Sequence, residues 1–479
     1  MLKRLPYTLF FIVIALGVTM GILRPYLAET GQLTPFYTTA VFFHETLEDH
    51  RFMGLIYYVG LFLQSCMSVP WLGALLTVTL LTGIAYATRW AFHVSDSWFG
   101  LCWIIPYFLL STYTKLGYDI YLCKLPVTLF YVALPTLLLL LIIGLGRCCF
   151  FRKSPKRRKQ TGYSYLVSIV IFVAMSYYFW DKSYKDRNFL NILEMKQAGE
   201  KDDWQRILDL SRSNKEVPTR LQVCLTRLAL YKTGQMGEKL FSFHDGDAAY
   251  NTPVQRQWLR IIGAPLLYYH YGKLGFAYRW AMEDLVEYGM RPEYLRTLHR
   301  VALLNGEDAL AQKYARSLWH TLFYQEEEDL IEKEAKEIRP LTNYTDQLDG
   351  DDGLVEFYLL QSFALTEGGS REMVELSLMC NLITKQLEGF WPRFMALLPT
   401  WEEGIPRHYQ EAALMVAQLQ GGVDTSQLPI DDEVRQRFER LVGESARLGD
   451  NSSNAYSLRP EFGDTYWYYY FFIEGMKTN

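Results

Sequence analysis

Uncharged apolar runs separated by short polar connections fill residues 1–180. After Trp180 the pattern changes to helical periodicity with charges throughout. The apolar runs lie at residues 5–23, 53–69, 71–88, 98–113, 126–146 and 164–180. About 20 apolar residues at 1.5 Å each cross a hydrocarbon core of roughly 30 Å, so the runs predict membrane helices. The strongest is 126–146, with leucine at every position from Leu137 to Leu141; the weakest is 53–69, bounded by Pro70, which reads as a span or a re-entrant helix. The run 5–23 follows Lys3 and Arg4 and lacks a small-residue cleavage pattern, so it reads as a retained anchor.

Charge orients these helices. Residues 147–160, RCCFFRKSPKRRKQ, hold seven Lys/Arg and no acid. A short basic loop between spans stays cytoplasmic. Six spans from a cytoplasmic N-terminus would put that loop outside. Five spans, with 53–69 not crossing, keep the N-terminus, Arg89 and the loop inside. The alternative of six spans with the N-terminus outside strands Lys3 and Arg4. Both arrangements deliver the chain beyond Trp180 to the far side, and Tyr177, Tyr178 and Trp180 suit an interfacial belt.

Residues 185–340 predict helical hairpins. A turn glycine recurs at Gly199, Gly234, Gly272 and Gly306, and small residues follow two of them, at Ala277 and Ala281 and at Ala311 and Ala315. A period of about 34 residues with such glycines and alanines resembles the tetratricopeptide repeat. The first two units depart from it, carrying Trp204 and Leu208, then Lys239 and Phe243, where small residues belong. A non-repeating helical bundle is the alternative. A linker at 341–353 and further helices over 354–479 complete an all-α chain: a polytopic helical membrane domain followed by a tetratricopeptide-like solenoid. The aromatic run near the end, with Tyr466, Trp467 and Tyr468, reads as the packing face of a capping helix or as an interaction surface.

The near-neutral total of 48 basic and 52 acidic residues conceals a division. Residues 1–180 hold 14 basic and 6 acidic, a net of +8, which leaves 34 and 46, a net of −12, for the remainder. An acidic soluble part argues against nucleic acid, whose binding needs Lys and Arg on phosphates. The seven cysteines form no C-x-x-C pair, so a zinc box or thioredoxin motif is not expected, and a Cys224–Cys380 disulfide is not decided by spacing.

Two loops carry candidate chemistry. In HETLEDH, residues 44–50, His44 and Glu48 share one face of a helix, as do Glu45 and Asp49. They suit a metal pair or an acid/base pair, although the spacing is not H-E-x-x-H and a solvated helix face is the plainer reading. In KLGYDIYLCK, residues 115–124, Asp119 between Lys115 and Lys124 offers an ion pair or a headgroup contact. No phosphate loop, nucleophile elbow or dinucleotide fingerprint is recognisable, and no cofactor is expected.

The spans with their basic final loop, the stretch YLRTLHRVALLNGEDALAQKYARSLWHTLFY at 294–324, SVPWLGALL at 68–76 and FGDTYWYYYFF at 462–472 together resemble an uncharacterised group of Bacteroidota inner-membrane proteins. The resemblance implies a bacterial inner membrane with a periplasmic C-terminal domain, and it transfers no site residues. The expectation is an integral membrane protein, in contact with membrane lipid, whose helical-repeat domain binds a protein partner. The alternative is a polytopic enzyme or transporter acting on a lipid-linked or envelope glycan, with Glu45, Glu48 and Asp119 as its candidate residues.

Overall fold

The computed structural model describes residues 5–114, 117–122, 129–150, 162–182, 186–246, 253–324, 328–342, 354–421, 423–448 and 454–474. Among these residues all regular structure is helical and no strand occurs. Most of the basic loop, the linker core, Lys115 and Lys124 lie outside the described residues. The chain divides into two compact units. Unit 1 comprises Met1–Leu193 and Ala281–Glu326; unit 2 comprises Glu194–Trp280 and Glu327–Asn479.

Unit 1 contains the apolar helices Leu5–Gln32, Pro70–Phe92, Leu129–Phe150 and Gly162–Lys182. Two stretches, Pro70–Phe92 and Leu129–Cys149, are long and apolar enough to cross a membrane. The first starts with proline, whose missing N–H is no loss there, and ends at His93 in the left-handed region. The two helices approach at Gly144, where a Cβ would fall 2.1 Å from the Trp90 ring. The run 53–69 is broken into the 12-residue helix Gly54–Ser65 and the 3-10 turn Cys66–Ser68. At 1.5 Å per residue that helix covers roughly 18 Å.

The outward faces of these helices are apolar. Leu138, Leu139, Ile142 and Leu145 are exposed on Leu129–Phe150, and Leu166, Val170, Val173, Tyr177 and Tyr178 are exposed on Gly162–Lys182. A soluble protein seldom leaves so many large side chains in contiguous patches.

The hairpin Pro292–Leu304 and Asp308–Trp319 also belongs to unit 1. The Tyr37 hydroxyl donates to the Met290 carbonyl, Thr38 N donates to the His320 carbonyl at 2.9 Å, and Arg291 Nη1 donates to the Tyr121 carbonyl at 3.0 Å. Ser68 and Tyr324 join through their hydroxyls. The fourth glycine hairpin is thus tied to the connections between apolar helices.

Unit 2 holds the other three turn glycines. Gly234 and Gly272, like Gly306 of unit 1, sit at φ +65, +72 and +75°, where a side chain is disfavoured, whereas Gly199 has no positive φ. The helices around them are unequal. After Gly234 the helix Met236–Lys239 has only four residues before the 3-10 turn Leu240–Ser242. Hairpin turns are therefore present, but a regular stack of paired helices is interrupted at the second one. Side-chain caps define several helix starts: Thr219 and Gln222 form a reciprocal capping box, and Ser370 and Thr465 cap the helices Arg371–Thr384 and Tyr466–Phe472.

Candidate functional site

Helix Arg220–Lys232 of unit 2 is built mainly of apolar residues, yet it carries Arg220 and Arg227 two turns apart on one face. Both guanidiniums are buried. Arg220 meets both carboxylate oxygens of Glu356 in a fork, its Nε at 2.8 Å from Oε2. Arg227 Nη1 donates to Glu356 Oε1 at 2.8 Å, and its Nη2 donates to Asp245 Oδ1. The Asp245 carbonyl accepts a further bond from Arg220. Two cations and two anions balance, which makes burial of Arg220, Arg227 and Glu356 tolerable, with the partly exposed Asp245 at the open edge.

The fields are mutual. Burial pushes the Glu356 carboxyl up, but Arg220 and then Arg227 outweigh it and hold the group below the ordinary carboxylate range. Burial opposes the charge on Arg227, yet Asp245 and Glu356 raise its affinity for the proton.

A pocket of about 90 Å³ opens beside this network. Phe241, Leu230 and Tyr469 give it an apolar wall, and His244, Asp245 and Arg459 give it a polar one. A second, smaller cavity of about 30 Å³ lies across Arg227, lined by Cys224, Tyr271, Phe363 and Cys380. Cys224 and Cys380 line the same cavity as free thiols, not a disulfide. Burial raises both thiols, Cys380 to about 12, which disfavours the nucleophilic thiolate.

The first four aromatic residues of the run, Tyr466 to Tyr469, face inward, whereas Phe471 is exposed. Tyr466 and Trp467 are fully buried; Trp467 Nε1 donates to the Glu411 carbonyl at 2.7 Å and Tyr466 N to Glu411 Oε2 at 2.8 Å. Tyr468, whose hydroxyl donates to the Ala455 carbonyl, is also buried and lines the pocket beside Tyr469. These rings close the core of unit 2 instead of forming an outer face.

In unit 1, His44, Glu45, Glu48 and Asp49 all lie exposed on the helix Ala40–His50, capped by Thr39. Asp119 is exposed at the start of Asp119–Leu122. Among the described residues none of them belongs to a group of three ligand-type side chains. Among the described residues the one such trio is Asp202, His270 and Glu334, in unit 2.

Sequence reading missed Glu29. This acid sits near the end of helix Leu5–Gln32, fully buried, and accepts a 2.5 Å bond from the Tyr121 hydroxyl. The Tyr121 backbone carbonyl, a separate group from that hydroxyl, accepts from Arg291, so two polar contacts meet at Tyr121 inside unit 1. The available signal was a lone acid at the margin of an apolar helix. Glu356 and Asp245 carried none, since their partners are far away in the chain.

These features define an all-α protein with long apolar helices in one unit and a buried ionic network in the other. The chain belongs to DUF6057, a family of unknown function, whose model matches residues 111–473. The match takes in Asp119, the hairpin of unit 1, and unit 2 as far as residue 473. No curated protein and no solved structure matches the chain.

Proposed function

We propose that this is an integral membrane protein of a bacterial inner membrane, anchored by the apolar helices of unit 1, whose unit 2 lies outside the cytoplasm and binds a protein partner. The observation that carries the anchor is the apolar outward face of helices Leu129–Phe150 and Gly162–Lys182. In lipid such a face has no penalty, and in water it aggregates.

The binding role rests on the pocket. Its apolar wall and its His244, Asp245 and Arg459 rim suit a partner side chain with an apolar body and a polar end. The test is affinity purification of the full-length protein from its native membranes in mild detergent, followed by mass spectrometry. His244→Trp fills the mouth of the pocket from an exposed position without entering the core. A stoichiometric protein lost in that variant supports the reading. A retained lipid or glycolipid without a protein partner opposes it.

A second reading, a polytopic enzyme or transporter for a lipid-linked or envelope glycan, is favoured by Glu29, an acid fully buried at the end of helix Leu5–Gln32 with the Tyr121 hydroxyl bonded to it. Ionisable groups held inside apolar helix bundles mark substrate and proton paths. Glu29→Gln keeps the hydrogen-bond acceptor and removes the charge; a normal cell envelope in that variant speaks against this reading.

A further inference from the structure

We propose that Asp202, His270 and Glu334 form a binding site for a divalent transition-metal cation, zinc above all. Three separate segments of unit 2 supply the ligands. Asp202 occupies the turn between helices Arg187–Gly199 and Trp204–Ser213, at φ +56°. His270 ends helix Ala264–His270, and Glu334 lies within helix Glu328–Ile338. One donor atom from each lies within 4.8 Å of the other two. Metal–ligand bonds of about 2.0–2.1 Å at tetrahedral angles place ligand atoms roughly 3.4 Å apart, so side-chain rotations close the trio around an ion.

Burial and chemistry point the same way. His270 is fully buried and Glu334 is 1 % exposed. Asp202 has Lys333 beside it and Glu334 has the Tyr269 hydroxyl, and a dication would serve both carboxylates at once. One imidazole with two carboxylates is an N/O donor set of intermediate hardness, which selects zinc and its neighbours over calcium and magnesium. The supporting shell is present: the Tyr269 hydroxyl donates to Glu334 Oε2 at 2.7 Å, and the Trp204 ring meets the His270 ring edge-on at 4.8 Å. Such partners fix the orientation of metal ligands. Lys333 Nζ, 3.4 Å from Asp202 Oδ2, is mostly exposed and swings into solvent when the ion enters. Three protein ligands leave a fourth position on that solvent side for water.

A bound ion would tie the Asp202 turn to two helices distant in sequence, so the site couples metal binding to the stability of unit 2. The test uses untagged full-length protein in detergent, stripped with chelator, dialysed against micromolar zinc and assayed for metal by mass spectrometry. The expected result is one zinc per chain and a raised melting temperature. Glu334→Gln, isosteric and able to keep the Tyr269 contact, should lose the zinc, and His270→Ala likewise. Tyr269→Phe should weaken binding by roughly 10–100-fold. Cobalt in place of zinc should give the absorption of a four-coordinate N/O site. Wild-type protein without zinc after dialysis overturns the proposal, as does equal zinc in wild type and Glu334→Gln, which would place the ion on cysteines elsewhere.

Discussion

Arg227 lies 2.8 Å from Glu356, a residue 129 positions away, and the same guanidinium reaches Asp245 across the pocket wall. This contact holds helices Arg220–Lys232 and Val355–Ala364 together with charges removed from water. Glu356→Gln leaves Arg220 and Arg227 facing each other with only Asp245 to offset them. Breaking a buried pair in this way costs about 3–5 kcal/mol. Denaturant unfolding of the full-length protein in detergent should show that loss, and a change below about 1 kcal/mol would refute the network's role.

Acid should act on the same contacts. Glu356 and Asp464 are both held below the ordinary carboxylate range, the burial cost of Glu356 being outweighed by Arg220 and Arg227 and that of Asp464 by Arg407 and Arg437. A carboxylate depressed in the folded state stabilises fully above its unfolded value, and the contribution disappears as pH falls through the folded value. Unit 2 should therefore lose stability below a pH of about 4. Melting temperatures followed by circular dichroism from pH 7 to pH 3 test this. The Glu356→Gln variant should show a flatter profile.

The turn glycines differ in what they tolerate. Gly272, at φ +72°, has the backbone of Leu341 2.8 Å from where a Cβ would be, while Gly234 and Gly306 have open space there. Gly234→Ala should cost about 1–2 kcal/mol from left-handed strain alone. Gly272→Ala adds overpacking against backbone and should cost about 3–5 kcal/mol. Equal melting shifts for the two would contradict the close approach.

Ile142 is 65 % exposed on the outward face of Leu129–Phe150. If that face meets lipid, Ile142→Arg impairs insertion by about 2.5–3.5 kcal/mol. The measured quantity is the fraction of protein resisting alkaline carbonate extraction. An unchanged fraction would mean that this face meets water or protein.

Much of this was legible from local pattern. Apolar runs marked the helices Pro70–Phe92 and Leu129–Phe150, and Gly234, Gly272 and Gly306 announced their turns because a left-handed backbone selects glycine. The candidate sites were less legible. His44, Glu45 and Glu48 are adjacent in sequence yet all exposed, whereas Asp202, His270 and Glu334 are scattered and come together. Periodicity reports which face of a helix is apolar but not which distant face it meets. That limit also hid the association of 281–326 with unit 1, which depends on contacts such as Arg291 with Tyr121.

The proposed location of unit 2 outside the cytoplasm is tested directly by thiol accessibility. Cys148 and Cys149 are exposed at the end of Leu129–Phe150, whereas Cys66, Cys102, Cys224 and Cys380 are buried. Gln436→Cys, in a Cys123→Ser background, places a thiol on the exposed surface of helix Asp432–Leu448. A membrane-impermeant maleimide applied to spheroplasts should label the cysteine at 436 at once, and Cys148 and Cys149 only after lysis. Labelling of Cys148 and Cys149 in intact spheroplasts, with 436 protected until lysis, would contradict the account.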